Sequence, residues 1–248
     1  MPATVHHTKG IVLRAVKYGE TSLIVSAYTE IFGIQSYILN GVRAATKRSG
    51  AKASYFQPSA ILDMIVYHND LKTIQRVKEF KWAYLYQHIL FDVIKNSVAL
   101  FMIELLQKTL KQPEPNPELF YFLEDAFIHL DSADAAIVAN YPLFFASHLT
   151  SFFGFRLTDN YDDEHNVLDL YEGSFVRERP LHPNILEEPL SAIISQFLKV
   201  QHPRELVEIK ISQDKRRALI AAYHSFYNYH VTDFGTMKTI SIIQEVLG

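Results

Sequence analysis

The sequence predicts an α+β protein of more than one domain, with a β-rich N-terminal third followed by a helical remainder. The hydrophobic period changes from two to 3.6 residues near Phe80. Five of the nine glycines lie in the first fifty residues, and eight of the ten prolines lie after residue 110. Residues 1–80 carry a net charge of +5, whereas residues 81–248 carry −8. We therefore expect one domain over residues 1–80 and a second over residues 81–248.

Five strand-like runs occur before residue 81, mostly with period-two alternation, although residues 60–67 form a nearly continuous apolar run broken by Asp63. They cover residues 8–18, 21–29, 34–40, 60–67 and 72–80. Five short strands in about eighty residues favour a small closed barrel, because closure removes exposed strand edges. The five-stranded OB-fold is the natural candidate, and such barrels often bind oligonucleotides. An SH3-like barrel would give the same pattern, so the pattern alone leaves both open.

A basic segment interrupts the predicted strands between residues 40 and 55. It contains Arg43, Lys47, Arg48 and Lys52 and no acidic residue. Its glycine, alanine, serine and threonine content predicts a loop, and such a loop beside a barrel can bind a phosphate backbone. The alternative is an ordinary solvated surface loop.

Two tyrosines flank this loop and are candidates for base stacking. Tyr37 precedes it and Tyr55 ends it. Bases stack on aromatic rings without sequence preference, which suits a general single-strand binder. The alternative is that both rings pack inward.

The remainder of the chain predicts helices, with apolar residues at spacings of three and four. Asn116-Pro117 is typical of a helix start, and Pro142 is expected to kink or split the helix that contains it. The predicted helices cover residues 82–93, 98–109, 117–130, 133–153, 190–200, 214–231 and 239–247.

Residues 155–183 interrupt these helices, and residues 168–175 predict a β-hairpin with Glu-Gly at its turn. The acidic run before it, residues 159–165, suggests a site for a hard cation. However, it lacks the regular ligand spacing and the glycine of a known calcium loop, so a solvated acidic loop is the better interpretation.

Composition and motifs exclude several classes of function. The chain has no cysteine, which excludes disulfides, thiol catalysis and cysteine-based zinc sites. No apolar run is long enough for a membrane span, and no secretory signal is expected. No nucleotide-binding, dinucleotide-binding, zinc-protease or serine-hydrolase signature is present. We therefore expect a soluble cytoplasmic protein that is not an enzyme and needs no cofactor.

Several strings in the first sixty residues resemble the RecO family of bacterial recombination and repair proteins. They are Gly10-Ile-Val-Leu-Arg14, Tyr18-Gly-Glu-Thr-Ser-Leu-Ile-Val25, Tyr28-Thr-Glu30 with Gly33, Asn40-Gly-Val-Arg43 and Phe56-Gln-Pro58. Gly154-Phe155 after a long helix is also similar to that family.

The resemblance implies an N-terminal OB domain followed by a mostly helical domain and a role without enzymatic chemistry. It implies binding of single- and double-stranded DNA and annealing of complementary strands. It also implies partnership with RecR and the single-stranded-DNA-binding protein, and help in loading the recombinase RecA in the bacterial nucleoid. Arg14, Arg43, Lys47 and Arg48 match basic positions of the family pattern, and charge and location add Lys17 and Lys52.

The chain departs from many family members after the Gly-Phe junction, where they carry a four-cysteine zinc module. Residues 155–183 contain no cysteine. A substitute set of His165, His182, Asp163 and Asp169 is not typical of structural zinc, which uses thiolates or closely paired histidines. We therefore expect a metal-free hairpin held by the apolar side chains Leu168, Leu170 and Phe175.

The resemblance also implies that the helical domain receives the acidic tail of the single-stranded-DNA-binding protein. Since residues 81–248 are acidic overall, a local basic patch is needed. Lys210, Lys215, Arg216 and Arg217 form the densest candidate, and a solvated helix start is the alternative.

Two other classes of function stay open from the sequence. A protein adaptor would use the barrel to bind a partner and no DNA. A nuclease would need clustered carboxylates, which only residues 159–164 offer.

Overall fold

The computed structural model describes residues 3–43 and 53–247, and the chain forms two units. The first contains Met1–Gln87 and Leu110–Ile128, and the second contains His88–Thr109 and His129–Gly248. The chain therefore passes from one unit to the other three times. The predicted division into domains at residue 80 stays a prediction.

Five strands of the first unit form a closed barrel. They are β1 (Thr4–Tyr18), β2 (Ser22–Thr29), β3 (Gly33–Leu39), β4 (Ile61–His68) and β5 (Ile74–Trp82). Their order is β1-β2-β3-β5-β4, and β4 pairs with β1 to close the barrel. Only the β3–β5 pair is parallel. The predicted OB-like barrel is confirmed.

The barrel core follows from the alternation of side chains along each strand. Every second residue points inward, and the inward set is apolar. It includes Val12, Leu23, Val25, Ala27, Tyr37, Leu39, Leu62, Met64 and Val66. The intervening residues point outward, and some of them, such as Ile11, Tyr28 and Ile61, are nevertheless buried.

Six α-helices lie in the described part of the chain. They are α1 (Val93–Thr109), α2 (Pro117–Ser132), α3 (Ala135–Leu149), α4 (Leu190–Lys199), α5 (Gln213–His230) and α6 (Thr239–Val246). None of the described helices is long and apolar enough to cross a membrane.

One expected helix is wrong. Residues 82–92 form no helix, because Trp82 ends β5 and helix α1 begins only at Val93. The Asp92 carboxylate caps α1 by accepting the N–H groups of Ile94 and Lys95 at 2.8 and 3.0 Å. Helix α3 continues through Pro142, so the helix does not split there, and the alternative of a kink at Pro142 stays a prediction.

Residues 110–128 return to the first unit and bond to the barrel. The Asn116 side chain caps α2 by accepting the N–H of Leu119 at 3.0 Å, as predicted. The Tyr28 hydroxyl donates to the Asn116 carbonyl at 3.2 Å, and the Ile34 N–H donates to the Pro113 carbonyl at 2.9 Å. The first unit is therefore built from two separate stretches of sequence.

A small three-stranded sheet belongs to the second unit. It consists of β6 (Val167–Asp169), β7 (Ser174–Val176) and β8 (Ile185–Leu186), in the order β7-β6-β8. The predicted hairpin is confirmed, and Leu168, Leu170 and Phe175 are buried as expected.

Candidate nucleic-acid interface

The barrel presents one outward surface that is built from four adjacent strands. We call it the outer face and define it by Arg14, Val16, Tyr18, Ser22, Ile24, Ser26, Ser36, Ile38, Ile74 and Arg76. Pairing register places these residues in rows that run across the strands. One row is Val16, Ile24, Ile38 and Arg76, and the next is Arg14, Ser26, Ser36 and Ile74. A third, shorter row joins Tyr18 to Ser22.

The outer face is partly apolar, aromatic and basic. Tyr18 is 54% exposed, and Val16 and Ile74 are each 40% exposed. Arg14 and Arg76 are exposed, while the serines and the two other isoleucines are half-buried. None of the ten positions is acidic. The combination of cations at the edges and apolar side chains between them suits a flexible polyanion that carries planar bases.

The structure places Lys17 and Arg43 near the end of the barrel where β1 turns into β2, and it places Arg14 further along β1, opposite Ser26. Arg14 and Lys17 are both exposed, and the alternation along β1 directs them to opposite sides of the strand. The Arg43 N–H donates to the Thr21 carbonyl at 2.9 Å, and its guanidinium donates to the Gly19 carbonyl at 3.3 Å. Arg43 is thus held beside the turn that follows Lys17. Lys17 and Arg43 therefore share the turn end of the barrel, whereas Arg14 belongs to the outer face.

The other three predicted DNA-binding residues, Lys47, Arg48 and Lys52, lie outside the described residues. Their role in binding stays a prediction from the sequence.

The stacking role expected of Tyr37 needs correction. Tyr37 pairs with Val25 in register, points into the barrel and is only 1% exposed. Burial raises the pKa of its hydroxyl, as expected for a phenol in an apolar core. A base has no access to this ring. The pairing register, which the sequence does not supply, decides the direction of Tyr37.

Tyr55 is half-buried and already engaged by another ring. It stacks on Trp82 with ring centroids 4.7 Å apart and an angle of 22° between the planes. It also meets the edge of Phe80 at 5.4 Å. One face of Tyr55 is therefore occupied by the barrel, and its stacking role stays a prediction.

Sequence reasoning named only Arg14 among the ten residues of the outer face, and Tyr18 and Arg76 are two of those that it missed. Arg14, Val16 and Tyr18 share the outward parity of β1, so the period-two pattern already contained the signal for Tyr18. Arg76 could not be found in this way. It joins the face through the parallel pairing of β3 with β5, which connects residues far apart in the chain.

The second unit contains the predicted basic patch of Lys210, Lys215, Arg216 and Arg217 at the start of α5. Lys210 is exposed. The Arg216 guanidinium donates to the Asn140 side chain and the Leu247 carbonyl, both at 3.4 Å, and burial lowers its pKa. Arg217 donates to the Gln244 carbonyl at 3.1 Å. Both arginines therefore help to anchor the C-terminal segment, while Lys210 is free of that task.

A groove of about 380 Å³ lies beside this patch. Lys210 and Arg216 line it together with the Asn140 side chain. The remaining lining is mostly apolar and includes Ala136, Ala139, Val207, Ile209 and Ile211. The Arg216 Nε atom is buried and has no hydrogen-bond partner among the described residues. The groove offers cations and apolar contacts to an acidic peptide that also carries an apolar side chain.

The residues considered as substitutes for a zinc module form separate pairs. His182 lies 3.2 Å from Asp169, and His165 lies 2.9 Å from Asp162 rather than from Asp163. No group of three or more metal-ligating side chains occurs in the described ranges 3–43 and 53–247. The metal-free hairpin stays a prediction, and the Asp169–His182 pair is its main polar contact.

Comparisons with known proteins cover both units. Residues 1–83 match the family model described as Recombination protein O N terminal, and residues 90–238 match Recombination protein O C terminal. The chain is 31% identical to the DNA repair protein RecO of Flavobacterium psychrophilum over 240 residues, which is 96% of this chain and 98% of that protein.

Two other relatives show a similar identity over nearly the whole chain. The DNA repair protein RecO of Christiangramia forsetii is 31% identical over 98% of this chain and 99% of its own length. That of Bacteroides fragilis is 28% identical over 96% of this chain and 98% of its own length. The resemblance found in the first sixty residues is thus confirmed along nearly the whole length, and the chain belongs to the RecO family of DNA repair and recombination proteins.

Proposed function

We propose that this protein is a DNA-binding recombination mediator. It binds single- and double-stranded DNA through the barrel and anneals complementary strands. With RecR, it helps to load RecA onto single strands that are covered by the single-stranded-DNA-binding protein. The observations that carry the proposal are the two cations beside the β1–β2 turn, Lys17 and Arg43, and the exposed Arg14 on an outer face whose ten positions include no carboxylate.

The physics of annealing supports a basic barrel. Two complementary strands repel each other through their phosphates, and a cationic surface screens this repulsion and releases condensed counterions. Contacts to phosphates carry no sequence information, so binding is tolerant of sequence. The acidic balance of residues 81–248 disfavours DNA there and favours protein partners.

The groove beside Lys210 and Arg216 supports the proposed contact with the acidic tail. Lys215 and Arg216 lie in the first turn of α5 together with Asp214, and Arg217 follows that turn. The helix dipole favours anions there. The three cations and the dipole outweigh the single Asp214 carboxylate and create a positive potential that attracts carboxylates. The apolar lining of the groove then accommodates an apolar side chain of the tail.

The role is non-catalytic. None of the enzyme signatures sought in the sequence is present, and the acidic run that a nuclease would need contains a carboxylate already engaged with His165. Magnesium-dependent cleavage of DNA by the purified protein would contradict this part of the proposal.

A salt titration tests DNA binding. A fluorescent poly-dT oligonucleotide is titrated with the wild type and with a variant in which Arg14, Lys17 and Arg43 are alanine. We expect affinity to fall steeply with salt, with a slope of about −0.7 per phosphate contact. Removal of three contacts should flatten the slope by about 2. A second variant that also lacks Lys47, Arg48 and Lys52 tests the predicted loop.

A matched control removes three cations that the structure pairs with carboxylates. Arg177, Arg179 and Lys199 lie 3.5, 3.0 and 3.6 Å from Glu164, Glu187 and Asp159. Their replacement by alanine changes the net charge equally and should leave the slope unchanged. If the wild type binds no oligonucleotide even at low salt, the DNA-binding proposal fails and the adaptor alternative replaces it.

The partner groove is tested with a synthetic acidic peptide that ends in an apolar residue. Fluorescence anisotropy should show saturable binding that Lys210→Ala weakens about five-fold, as expected for an exposed charge contact. Lys199→Ala, which removes a paired cation, serves as the control. Equal binding by both variants would remove the groove from the proposal.

A further inference from the structure

We propose that the outer face binds the unpaired bases of a single strand and that Tyr18 is its principal stacking ring. This inference rests on the proposed DNA-binding function and extends it from phosphates to bases. The basic residues predicted from the sequence explain binding to phosphates. They do not explain why this face also carries aromatic and apolar side chains.

The arrangement of side chains is the first support. Val16, Ile24 and Ile38 are direct neighbours in register and form an apolar row across three strands. Tyr18 stands two residues beyond Val16 on the same side of β1, so its ring borders this row. An exposed tyrosine beside partly exposed β-branched side chains provides a surface on which a planar base can stack. Stacking removes water from the base and from these side chains.

The distribution of charge is the second support. Arg14 borders the apolar row on β1, and Arg76 ends it on β5. Neighbouring strands are about 4.8 Å apart, so the three steps from β1 to β5 span roughly 14 Å. Two or three bases fit between these two cations, and their phosphates then lie at the edges where the guanidinium groups are exposed.

The polar residues of the face favour nucleic acid over a protein partner. Ser26 and Ser36 supply small hydroxyls that bond base edges or phosphates without selecting a sequence, whereas the Ser22 hydroxyl donates to the Asn40 side chain at 3.2 Å. An apolar protein interface instead places large side chains at its centre, with charges at the rim. The absence of any carboxylate from all ten positions fits a polyanion.

Stacking on Tyr18 predicts a preference for single strands. In a duplex, each base face is covered by its neighbours, and a protein side chain on the outside reaches no ring. Duplex binding therefore depends on the cations alone. Single-strand binding uses the cations and the ring together, so the two kinds of DNA respond differently to the loss of Tyr18.

The experiment compares three DNA probes at one salt concentration. They are a poly-dT oligonucleotide, an abasic oligonucleotide with the same number of phosphates, and a duplex. We expect the wild type to bind poly-dT about 10-fold more tightly than the abasic strand. Tyr18→Ala should lower the affinity for poly-dT by about 10-fold and leave the affinities for the abasic strand and the duplex unchanged.

Tyr18→Phe keeps the ring and should stay within two-fold of the wild type for all three probes. Because Tyr18 is more than half exposed, Tyr18→Ala should keep the wild-type melting temperature, which circular dichroism checks. If the wild type binds poly-dT and the abasic strand equally, the inference is wrong while DNA binding stands, and the face belongs to a protein partner. If the wild type binds none of the probes, the proposed function itself fails.

Discussion

At the scale of single residues, Gly33 allows the segment of residues 110–128, here called the return segment, to approach the barrel closely. Gly33 begins β3 with a φ of +63°, a conformation that glycine adopts freely. A Cβ at this position would lie 1.8 Å from the Pro113 carbonyl oxygen, which also accepts the Ile34 N–H. Gly33 is therefore required both by its backbone conformation and by the close approach of residues 113–114.

Replacement of Gly33 by alanine should destabilise the protein by about 3 kcal/mol. The left-handed conformation costs an L-residue about 1–2 kcal/mol, and the forced displacement of Pro113 adds to this cost. Gly19→Ala is the matched control, because Gly19 has a φ of +57° but nothing within 4 Å of the added atom. It should cost only about 1 kcal/mol. Urea unfolding measures both, and equal losses would contradict the role of Pro113.

At the scale of elements, Glu104 of α1 holds the start of α6. Its carboxylate accepts the N–H groups of Lys238 and Thr239 at 2.9 and 2.8 Å and the Thr239 hydroxyl at 2.6 Å. Burial alone disfavours the charge of Glu104. These hydrogen bonds and the nearby Lys108 outweigh burial, so the pKa of Glu104 lies below its usual value. The first N–H groups of α6 thus have an acceptor from another helix.

This pKa predicts a pH dependence with a definite sign. A carboxyl with a lowered folded-state pKa stabilises the fold above its unfolded pKa, and the effect is lost as the pH falls through the folded pKa. Hydrogen exchange at residues 239–246 should therefore accelerate as the pH falls from 6 to 3, after correction for intrinsic rates. Glu104→Gln should show about 1–2 kcal/mol less protection at pH 6 and a weaker pH dependence.

Glu245 provides the control, since it lies exposed on the same helix. Glu245→Gln should keep both the protection of α6 and its pH dependence. Identical exchange in wild type and Glu104→Gln would show that this carboxylate does not hold the helix.

The small sheet of β6, β7 and β8 is predicted to fold without a metal ion. Dialysis against a chelator should leave the melting temperature unchanged. Asp169→Ala should destabilise the protein by about 2 kcal/mol, because the buried carboxylate accepts the Tyr171 and Glu172 N–H groups and faces His182. Asp163→Ala, at an exposed position, is the control. Stoichiometric zinc that survives dialysis, with a lower melting temperature after its removal, would refute the prediction.

The elements could be predicted from the sequence wherever one periodicity dominates. Most of the five strands were found because their side chains alternate between core and solvent, and β4 was found from its nearly continuous apolar run. The helix expected over residues 82–93 failed because Trp82 serves the end of a strand and Ile89 is buried in an irregular segment, which imitates helical spacing. The direction of Tyr37 and the contribution of Arg76 depend on strand register. Register is set by pairing between distant residues, and a single sequence does not reveal it.

At the scale of the whole molecule, the chain interleaves its two units. It leaves the first unit after Gln87, returns at Leu110 and leaves again after Ile128. The first unit thus contains residues 110–128 as well as the basic N-terminal stretch. The charge pattern alone assigns residues 110–128 to the acidic remainder of the chain. The charge pattern indicates which kind of partner each part of the sequence attracts. The contacts between residues show which parts of the chain fold together.

This interleaving predicts how fragments of the chain fold. A fragment of residues 1–87 lacks Glu124, whose carboxylate lies 2.8 Å from Lys9, and the buried side chains of Leu119, Phe120 and Leu123. Each of these three apolar side chains contributes roughly 1.5–3 kcal/mol on burial. Their sum of roughly 5–9 kcal/mol is comparable to the total stability of a small domain. Fragment 1–87 should therefore show no cooperative thermal transition, or one at least about 10 °C below that of fragment 1–128.

A peptide of residues 110–128 added in trans should raise the melting temperature of fragment 1–87 in a concentration-dependent way. The same peptide with Leu119 and Leu123 replaced by aspartate should have no effect, because it cannot bury those positions. If fragment 1–87 melts at the same temperature as fragment 1–128, the barrel is an independent folding unit. The return segment would then only cover a barrel that is already stable.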